Sequence, residues 1–488
     1  MDQTRPGSAG TRHRDFKPLI VLLLLLGGFA CLLSLLPLRT AILIGADEGF
    51  ALSKAVFYLK GYHFYTEVWN DQPLLHTVLI AQVLKHVCSS ILGPRLLTSM
   101  FALVLLASIF IISRRVSGLF VAALTTLWLM ASPGFLTLSG SCMVEIPALA
   151  PPVAALALLL AGSRKRYVME ILAGVLFGVG LHIKFNAAIY LPMAGLILWL
   201  RPSPANFPKS LLILIVSAGA SFMAVHTLIG EGSYLLQMKQ TWEANVAPAQ
   251  SLEYGSADEH PFPWSLLLKN WDATVPAVIG IIFCCRRMRQ TPLLLVPLAW
   301  LAITLLVFVP HKPWWPYYYL HNSVPLCWCA AIGLYSLRPF LKKRGCLALL
   351  AVYLLCSLAW MGTRVYLQIV EARNSPQIYS SPVLKEIEPL KPFTTFMFTD
   401  QPVYSFHAGI PLPPSLAVLS LKRLWSGQMT NERMLAELVA ARPGIILLAA
   451  TTQETPYYSL LNGEYRLIYE DDTVRLYALK SVIQQAGE

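Results

Sequence analysis

The chain alternates between long apolar runs and short polar connections. Apolar runs of about 15 to 20 residues recur from Leu19 to Met361. A hydrocarbon core of roughly 30 Å needs about 20 helical residues, and only helices or closed barrels satisfy their backbone there. The runs are too long and continuous for barrel strands, so the pattern predicts an α-helical polytopic membrane bundle. About eleven transmembrane helices are expected, over Leu19–Leu38, Pro94–Ser113, Gly118–Ser132, Cys142–Ala161, Met169–His182, Ala187–Leu200, Ser210–Ile229, Ala273–Cys285, Pro292–Val309, Tyr318–Leu337 and Cys346–Met361. The first run follows Arg5, Arg12, Arg14 and Lys17. It is longer than a signal-peptide apolar region and shows no cleavage site, so it reads as an uncleaved helix. Leu74–Leu92 carries His76, Gln82, Lys85 and His86 and reads as an amphipathic helix in the outer interface.

After Arg364 the pattern changes. Phe393–Phe398, Ile445–Ala449, Tyr465–Tyr469 and Val474–Leu479 read as strands between turn signals. Asn431–Ala441 has helical spacing, with Met434, Leu435, Leu438 and Val439 on one face, Asn431 as N-cap and Pro443–Gly444 as the stop. The expected organisation is a transmembrane domain over 1–363 and a C-terminal extracytoplasmic α/β domain over 364–488.

Composition agrees: 56% of residues are hydrophobic and 13% charged, outside the range of soluble proteins. The net charge of +12 would suit a nucleic-acid partner, but its distribution argues against one. The basic residues cluster between runs, at Arg114–Arg115, Arg164–Lys165–Arg166, Arg201 with Lys209, Arg286–Arg287 with Arg289, and Arg338 with Lys342, Lys343 and Arg344. With the N-terminus cytoplasmic, every one of these clusters falls inside. The acidic connections 39–93 and 230–272 then fall outside, as does the C-terminal domain. The nine cysteines all precede Arg364 and read as small buried hydrophobes.

The informative polar residues lie on that outer side. Asp47 and Glu48 follow the first span directly; carboxylates at a membrane boundary are either solvated or functional. Further along, Glu67, Trp69, Asn70, Asp71 and Gln72 interleave with Tyr58, Tyr62, Phe64 and Tyr65. An acidic, aromatic loop suits a sugar, whose hydroxyls need acceptors and whose C–H faces stack on rings; it equally suits interfacial anchoring.

Asp47–Glu48, followed by Trp69-Asn70-Asp71-Gln72-Pro73-Leu74-Leu75, resembles the first outer loop of the dolichyl-phosphate-mannose protein mannosyltransferase and aminoarabinose transferase superfamily, membrane glycosyltransferases of the GT-C fold. That family typically has Lys-Pro-Pro-Leu where this chain has Gln72-Pro73-Leu74, so a cation is missing here. Ser132-Pro133 through Glu145-Ile146-Pro147 is similar to the family's second acidic motif, usually with Asp at the Glu145 position. Gly174-x3-Gly178-x5-Lys184, His260-Pro261-Phe262-Pro263-Trp264, and Tyr317-Tyr318-Tyr319-Leu320-His321 with Pro325 resemble three later motifs, in the same order.

The resemblance implies a transferase that takes sugar from an undecaprenyl- or other polyprenyl-phosphate donor in a bacterial plasma (inner) membrane. It passes that sugar, with inversion, to a lipid, glycan or protein acceptor. Such a donor already carries its leaving group, and no nucleotide-binding glycine loop follows a strand. Asp47 becomes the base for the acceptor, with Glu48 beside it as a second candidate catalytic residue. Lys184 becomes the cation at the donor phosphate, although a lysine snorkelling from a helix end would look the same. His311, Lys312 and His321 are further candidate donors to the phosphate. Glu145, Trp69, Asp71 and Gln72 are candidate substrate contacts, Glu145 equally suiting the positive end of its helix. The resemblance requires no cofactor; divalent metal occurs in parts of the superfamily, which makes Asp71 and His260 the candidate ligands. His76, His86 and His182 read as packed or interfacial. A lipid or solute transporter is the competing class, but it would call for mid-span charges and internal inverted repeats; the former are few and the latter absent from the sequence.

Overall fold

The computed structural model describes residues 16–161, 166–201, 206–230, 236, 239–240, 242–243, 259–453 and 457–487. Arg5, Arg12, Arg14, Arg164, Lys165 and most of the connection 230–272 lie outside the described residues.

The N-terminal part is helical. Its elements are α1 (Lys17–Ser34), α2 (Glu48–Leu59), α3 (Leu75–His86), α4 (Leu92–Ser117), α5 (Leu119–Met130), α6 (Phe135–Ser139), α7 (Glu145–Leu160), α8 (Arg166–Ile183), α9 (Leu191–Trp199) and α10 (Phe207–Ile229). They continue with α11 (Ser265–Lys269), α12 (Trp271–Arg287), α13 (Leu295–Phe308), α14 (Tyr319–Ser336) and α15 (Arg344–Asn374). Every predicted run contains a helix, but the lengths differ. Among the described residues six helical segments are long and apolar enough to cross a membrane: Lys17–Ser34, Leu92–Ser117, Arg166–Ile183, Phe207–Ile229, Pro316–Lys342 and Arg344–Asn374. The other runs form shorter apolar helices. At about 1.5 Å per residue, a 12-residue helix such as α5 reaches only some 18 Å. Gly118, at φ 89°, divides α4 from α5, and Pro151 and Pro152 interrupt the hydrogen-bond ladder of α7.

Small residues let the helices approach closely. A Cβ on Gly178 of α8 would meet the Ala218 carbonyl oxygen of α10 at 2.5 Å, and Gly174 faces Ser217 in the same way. Gly280 of α12 lies against the Cys329 carbonyl of α14. This is small-residue packing between apolar helices, so the glycine spacing of α8 serves the contact with α10. At the basic end of the bundle, Glu170 accepts from Arg166 at 2.9 Å and from Arg201 at 2.5 Å. Near the other end, Arg364 on α15 clamps Asp272 of α12 with bonds of 2.6 and 2.7 Å. α15 runs unbroken through position 364 to Asn374.

Beyond it lie α16 (Pro382–Ile387), α17 (Pro402–Ala408), α18 (Leu421–Trp425), α19 (Asn431–Ala441), α20 (Tyr458–Glu464) and α21 (Lys480–Gly487). They surround a sheet of β1 (Met397–Thr399), β2 (Ile445–Ala449), β3 (Tyr465–Glu470) and β4 (Val474–Leu479), in the order β1-β2-β4-β3. β1 and β2 are parallel; the other pairings are antiparallel. The first strand is shorter than expected because Glu388–Phe393 forms a 3-10 turn that includes Pro392. The cap of α19 is Thr430, whose hydroxyl accepts from the Arg433 amide, in place of Asn431. Val439 points outward, 59% exposed, while Met434 and Leu438 are buried.

This sheet domain shares a core with segments of the N-terminal part, α2 and α3 among them. Ile42, Leu52, Ala55, Ile80 and Leu84 pack with Val403, Leu424 and Leu447 in one apolar cluster. α3 buries His76, Thr77, Ile80, Ala81 and Leu84 in this region, packing on α2 and α4. A Cβ on Gly49 would meet the Val403 amide nitrogen at 2.5 Å, so α17 rests directly on the first turn of α2. The exits of α1 and α15 pair as well, Ile42 N–H donating to the Pro376 carbonyl at 2.8 Å.

One buried ion pair ties these parts together. Arg95, on the first turn of α4, donates to both Glu48 carboxylate oxygens at 2.9 Å. It also donates to the Leu38 and Ala41 carbonyls, both at 2.9 Å. Glu48 accepts in addition from the amides of Ile44 (2.7 Å), Gly45 (3.3 Å) and Cys142 (2.9 Å). Both residues are fully buried. Removing one partner strands the other charge, which costs about 3–5 kcal/mol. Arg95→Leu is therefore expected to lower the thermal unfolding midpoint of detergent-purified protein sharply, and Glu48→Gln to lower it less. An Arg95→Leu midpoint equal to wild type would refute this structural role.

Candidate active site

The N-terminal end of α2 presents two adjacent acids to different surroundings. Glu48 turns into the ion pair with Arg95. Burial opposes its charge, but Arg95 and the backbone amides outweigh burial and hold its pKa below the usual range. Five donors occupy its two oxygens, leaving no free acceptor for a substrate proton. The expectation that Glu48 is catalytic beside Asp47 is thus corrected: Glu48 is a fastening residue.

Asp47 caps α2 and is only partly exposed. Burial pushes its pKa up to about 6, helped by Glu145 and Asp71, while Lys184 and Lys54 pull it down. Lys54 lies seven residues along α2, on the same face, and its ammonium donates to Asn70 Oδ1 at 3.2 Å. Burial lowers the Lys54 pKa, against the pull of Asp71 and Asp47. Asn70 in turn donates to the Gln72 carbonyl at 2.5 Å, and Tyr65, at the left-handed φ of 68°, donates its hydroxyl to the same carbonyl at 2.8 Å. The loop 65–72 is therefore tied to α2, which brings Asp71 into the electrostatic field of Asp47 and Lys54.

Glu145 opens α7, three residues beyond the Cys142 amide that Glu48 holds. Its Oε1 accepts from Lys184 Nζ at 2.9 Å, and its buried Oε2 has no hydrogen-bond partner among the described residues. Lys184 follows the last residue of α8, with its ammonium 5.5 and 5.7 Å from the ring centroids of Tyr317 and Tyr318. Burial alone would depress the Lys184 pKa, but the Glu145 carboxylate outweighs it and raises the value above the usual lysine range. Asp47, Asp71, Glu145, Lys54 and Lys184 thus form one group of alternating charge.

The other expected residues divide. His311 stacks edge-on against Tyr318 at 5.2 Å, and burial, with Lys422 and Lys184 nearby, lowers its pKa. Lys312 is exposed beside it. His321 is buried: its Nδ1 is 2.6 Å from the Tyr190 hydroxyl, and its ring stacks on Phe308 at 4.4 Å. Trp69 is 8% exposed, donating Nε1 to Gln428 at 2.6 Å with the Arg423 guanidinium 5.4 Å from its ring. It therefore holds the C-terminal domain. Gln72 contributes its backbone carbonyl to the loop. His260 is exposed and lies beside the indoles of Trp315 (5.5 Å) and Trp425 (5.9 Å), and among the described residues no three His, Cys, Asp or Glu side chains converge as metal ligands.

Two residues escaped the sequence reading. Lys54 was signalled only by its helical offset from Asp47, and Arg95 sat at the margin of an apolar run.

No family model matches the sequence, and no curated protein matches it. Solved structures do share its architecture. ArnT from Cupriavidus metallidurans bound to undecaprenyl phosphate superposes with a TM-score of 0.65 at 15% identity, over 96% of this chain and 99% of that chain. The archaeal oligosaccharyltransferase AglB from Archaeoglobus fulgidus, in complex with an inhibitory peptide and a dolichol-phosphate, gives a TM-score of 0.60 at 11% identity. That match covers 96% of this chain and 75% of that chain. The chain has the fold of the GT-C membrane glycosyltransferases.

Proposed function

We propose that this protein transfers a sugar from a polyprenyl-phosphate donor to an acceptor on the extracytoplasmic face of the membrane. The observation that carries the proposal is the convergence of a raised-pKa carboxylate, Asp47, with the Glu145–Lys184 pair. These groups lie at the ends of α4, α7 and α8 away from Arg114, Arg115 and Arg166, within a fold shared with a protein solved with undecaprenyl phosphate.

In this reading Asp47 takes the proton from an acceptor hydroxyl or amine as that atom attacks the anomeric carbon. The bond from that carbon to the phosphate oxygen breaks, its electron pair going to the phosphate, and the configuration inverts. Lys184, steadied by Glu145 and the two tyrosine faces, stabilises the negative charge that grows there. A carboxylate with a pKa near 6 is a stronger base than an ordinary aspartate and is still mostly ionised at pH 7. Asp71 and Lys54 would line the sugar side. His311, near-neutral, and the exposed Lys312 sit at the rim; His321 supports the wall through Tyr190. AglB has also been solved with zinc and sulfate. Here Asp71 lies in the field of Lys54, Lys184 and Lys422, and no third His, Cys, Asp or Glu joins it and His260 among the described residues, so the residues present do not fit a metal ion and no step is routed through one.

The membrane arrangement belongs to the same proposal. The shorter helices would complete about eleven crossings, with 1–363 as the transmembrane unit, the N-terminus cytoplasmic and 364–488 extracytoplasmic. Single cysteines introduced at Arg115 and Lys343 in a cysteine-free variant should resist an impermeant maleimide in intact cells. One at Lys480 should be labelled. The reverse pattern would refute this orientation.

Asp47→Asn should reduce transfer from undecaprenyl- or dolichyl-phosphate sugars by about 10²–10⁴-fold. Wild-type turnover should fall as pH drops through about 6, where the base becomes protonated. A folded Asp47→Asn variant with full activity would sink the assignment.

The same shift affects stability with a definite sign. The folded state favours protonated Asp47, so ionisation weakens the fold as pH rises from about 4 through about 6. Asp47→Asn should therefore be more stable than wild type at pH 7.5, by roughly 1–3 kcal/mol, and no more stable below pH 4. Chemical or thermal unfolding at the two pH values measures this; equal stability at pH 7.5 would contradict it.

A further inference from the structure

The first half of α15 stands away from the bundle. The helix's buried residues, Ser357, Met361, Gln368, Ile369 and Ala372, all lie beyond position 356. That second stretch is fastened: Trp360 Nε1 donates to the Lys269 carbonyl at 2.8 Å, and Arg364 clamps Asp272. Before it, Leu347, Leu349, Val352 and Leu355 are all exposed. α12 and α14, by contrast, lie tightly against each other, Gly280 facing the Cys329 carbonyl and Gly333 the Pro276 carbonyl. Between this pair and α15 there is a cavity of about 350 Å³. Ile279, Leu334, Phe340, Cys346 and Leu350 line it, together with Tyr353, whose hydroxyl donates to the Asp272 carbonyl.

One end of this cavity is basic. Lys342, Lys343 and Arg344 are exposed and stand between two lining residues, Leu341 and Cys346. Arg338, on the 3-10 turn Arg338–Lys342, lies over the rings of Phe120 and Tyr335 at 4.8 and 4.3 Å, and Arg286 and Arg287 end α12. No Asp or Glu occurs between Asp272 and Glu371, so the three helices bring no carboxylate to this end. A basic cluster at a helix end orients a membrane protein and by itself binds nothing. Here it frames an apolar cavity, and the two features call for one molecule. A chain would fill the void, whose lining otherwise lacks contacts on one side, and an anion would meet the charge.

We infer that this cavity is a binding site for an anionic phospholipid of the bilayer, with an acyl chain against Ile279, Leu334 and Leu350 and the phosphate headgroup at Lys342, Lys343 and Arg344. The chain replaces the protein contacts that the first half of α15 lacks, and so ties that helix to α12 and α14. A neutral phospholipid would fill the same void without gaining the headgroup contacts. The site lies at the other end of α14 from His321, and it is independent of the transferase reading.

The test uses the full chain in detergent and measures, by native mass spectrometry, the binding of phosphatidylglycerol and of phosphatidylcholine with identical acyl chains. The wild type should bind phosphatidylglycerol about tenfold or more tightly than phosphatidylcholine. Replacing Lys342, Lys343 and Arg344 together by Gln should erase that preference. Arg114→Gln with Arg115→Gln, at an exposed basic pair near the end of α4, should keep it. Leu350→Trp, which fills the cavity, should weaken the binding of both lipids; if it does not fold, Leu349→Trp takes its place. Equal binding of the two lipids by the wild type, loss of the preference in the Arg114 and Arg115 variant, or unchanged binding in the Trp variant overturns the assignment. So does displacement of phosphatidylglycerol by the neutral polyprenol undecaprenol, which would make the cavity a seat for a polyprenyl chain. A dimer that Leu350→Trp disperses would make it an interface with a second copy, and overturns the assignment as well.

Discussion

The fully buried pair of Glu48 and Arg95 is the constraint around which the end of the bundle that carries the sheet domain is arranged. Its hydrogen bonds reach the chain leaving α1, the first turn of α2, the first turn of α4 and the Cys142 amide just ahead of α7. Three separate stretches of sequence, 38–48, the start of α4 and Cys142, meet at one carboxylate. Asp47 precedes that carboxylate by one residue, and Glu145 follows the captured amide by three. Their convergence is a consequence of the knot and needs no direct contact between them. Buried ion pairs contribute little net stability over an apolar replacement, so the value of this one lies in fixing geometry.

Two neighbouring acids show how environment, and not residue type, sets behaviour. Both lose water. Glu48 regains full compensation from a guanidinium and three amides and stays charged. Asp47 meets two lysines but also two other carboxylates, and the balance leaves it near neutrality's edge. A carboxyl with a raised pKa thus sits beside one whose pKa is lowered. Lys184 and Lys54 divide in a similar way: a direct carboxylate contact raises one, whereas the other has an amide oxygen as partner and is lowered.

Much of this was legible in the sequence, for reasons that can be stated. Apolar runs must be helical in lipid, so helix positions followed from hydropathy; helix lengths did not, because Gly118 and the α7 prolines act locally on the ladder. Asp47, Glu145 and Lys184 stood out since each is a charge at the edge of an apolar run. Arg95 has the same character but was absorbed into a predicted span margin. Trp69 was misjudged because an aromatic in an acidic loop suggests a sugar platform, and its actual partners, Gln428 and Arg423, lie more than 350 positions away. The two C-terminal strands Ile445–Ala449 and Val474–Leu479 were read with their observed limits since each apolar run begins just after turn residues, Pro443–Gly444 and Asp471–Asp472. Pairing between distant segments has no local signature, which is why the shared core was invisible.

That shared core sets an order on biogenesis. Ile42, Leu52 and Ile80 leave the ribosome long before the side chains that cover them, such as Val403 and Leu447. A chain synthesised from its N-terminus must therefore insert its helices with α2 and α3 still lacking their cover. The apolar faces around Gly49 close only once the sheet domain has been made. Nascent and prematurely terminated chains share this exposed patch, which makes it a natural mark by which a membrane chaperone or protease could tell unfinished molecules from finished ones.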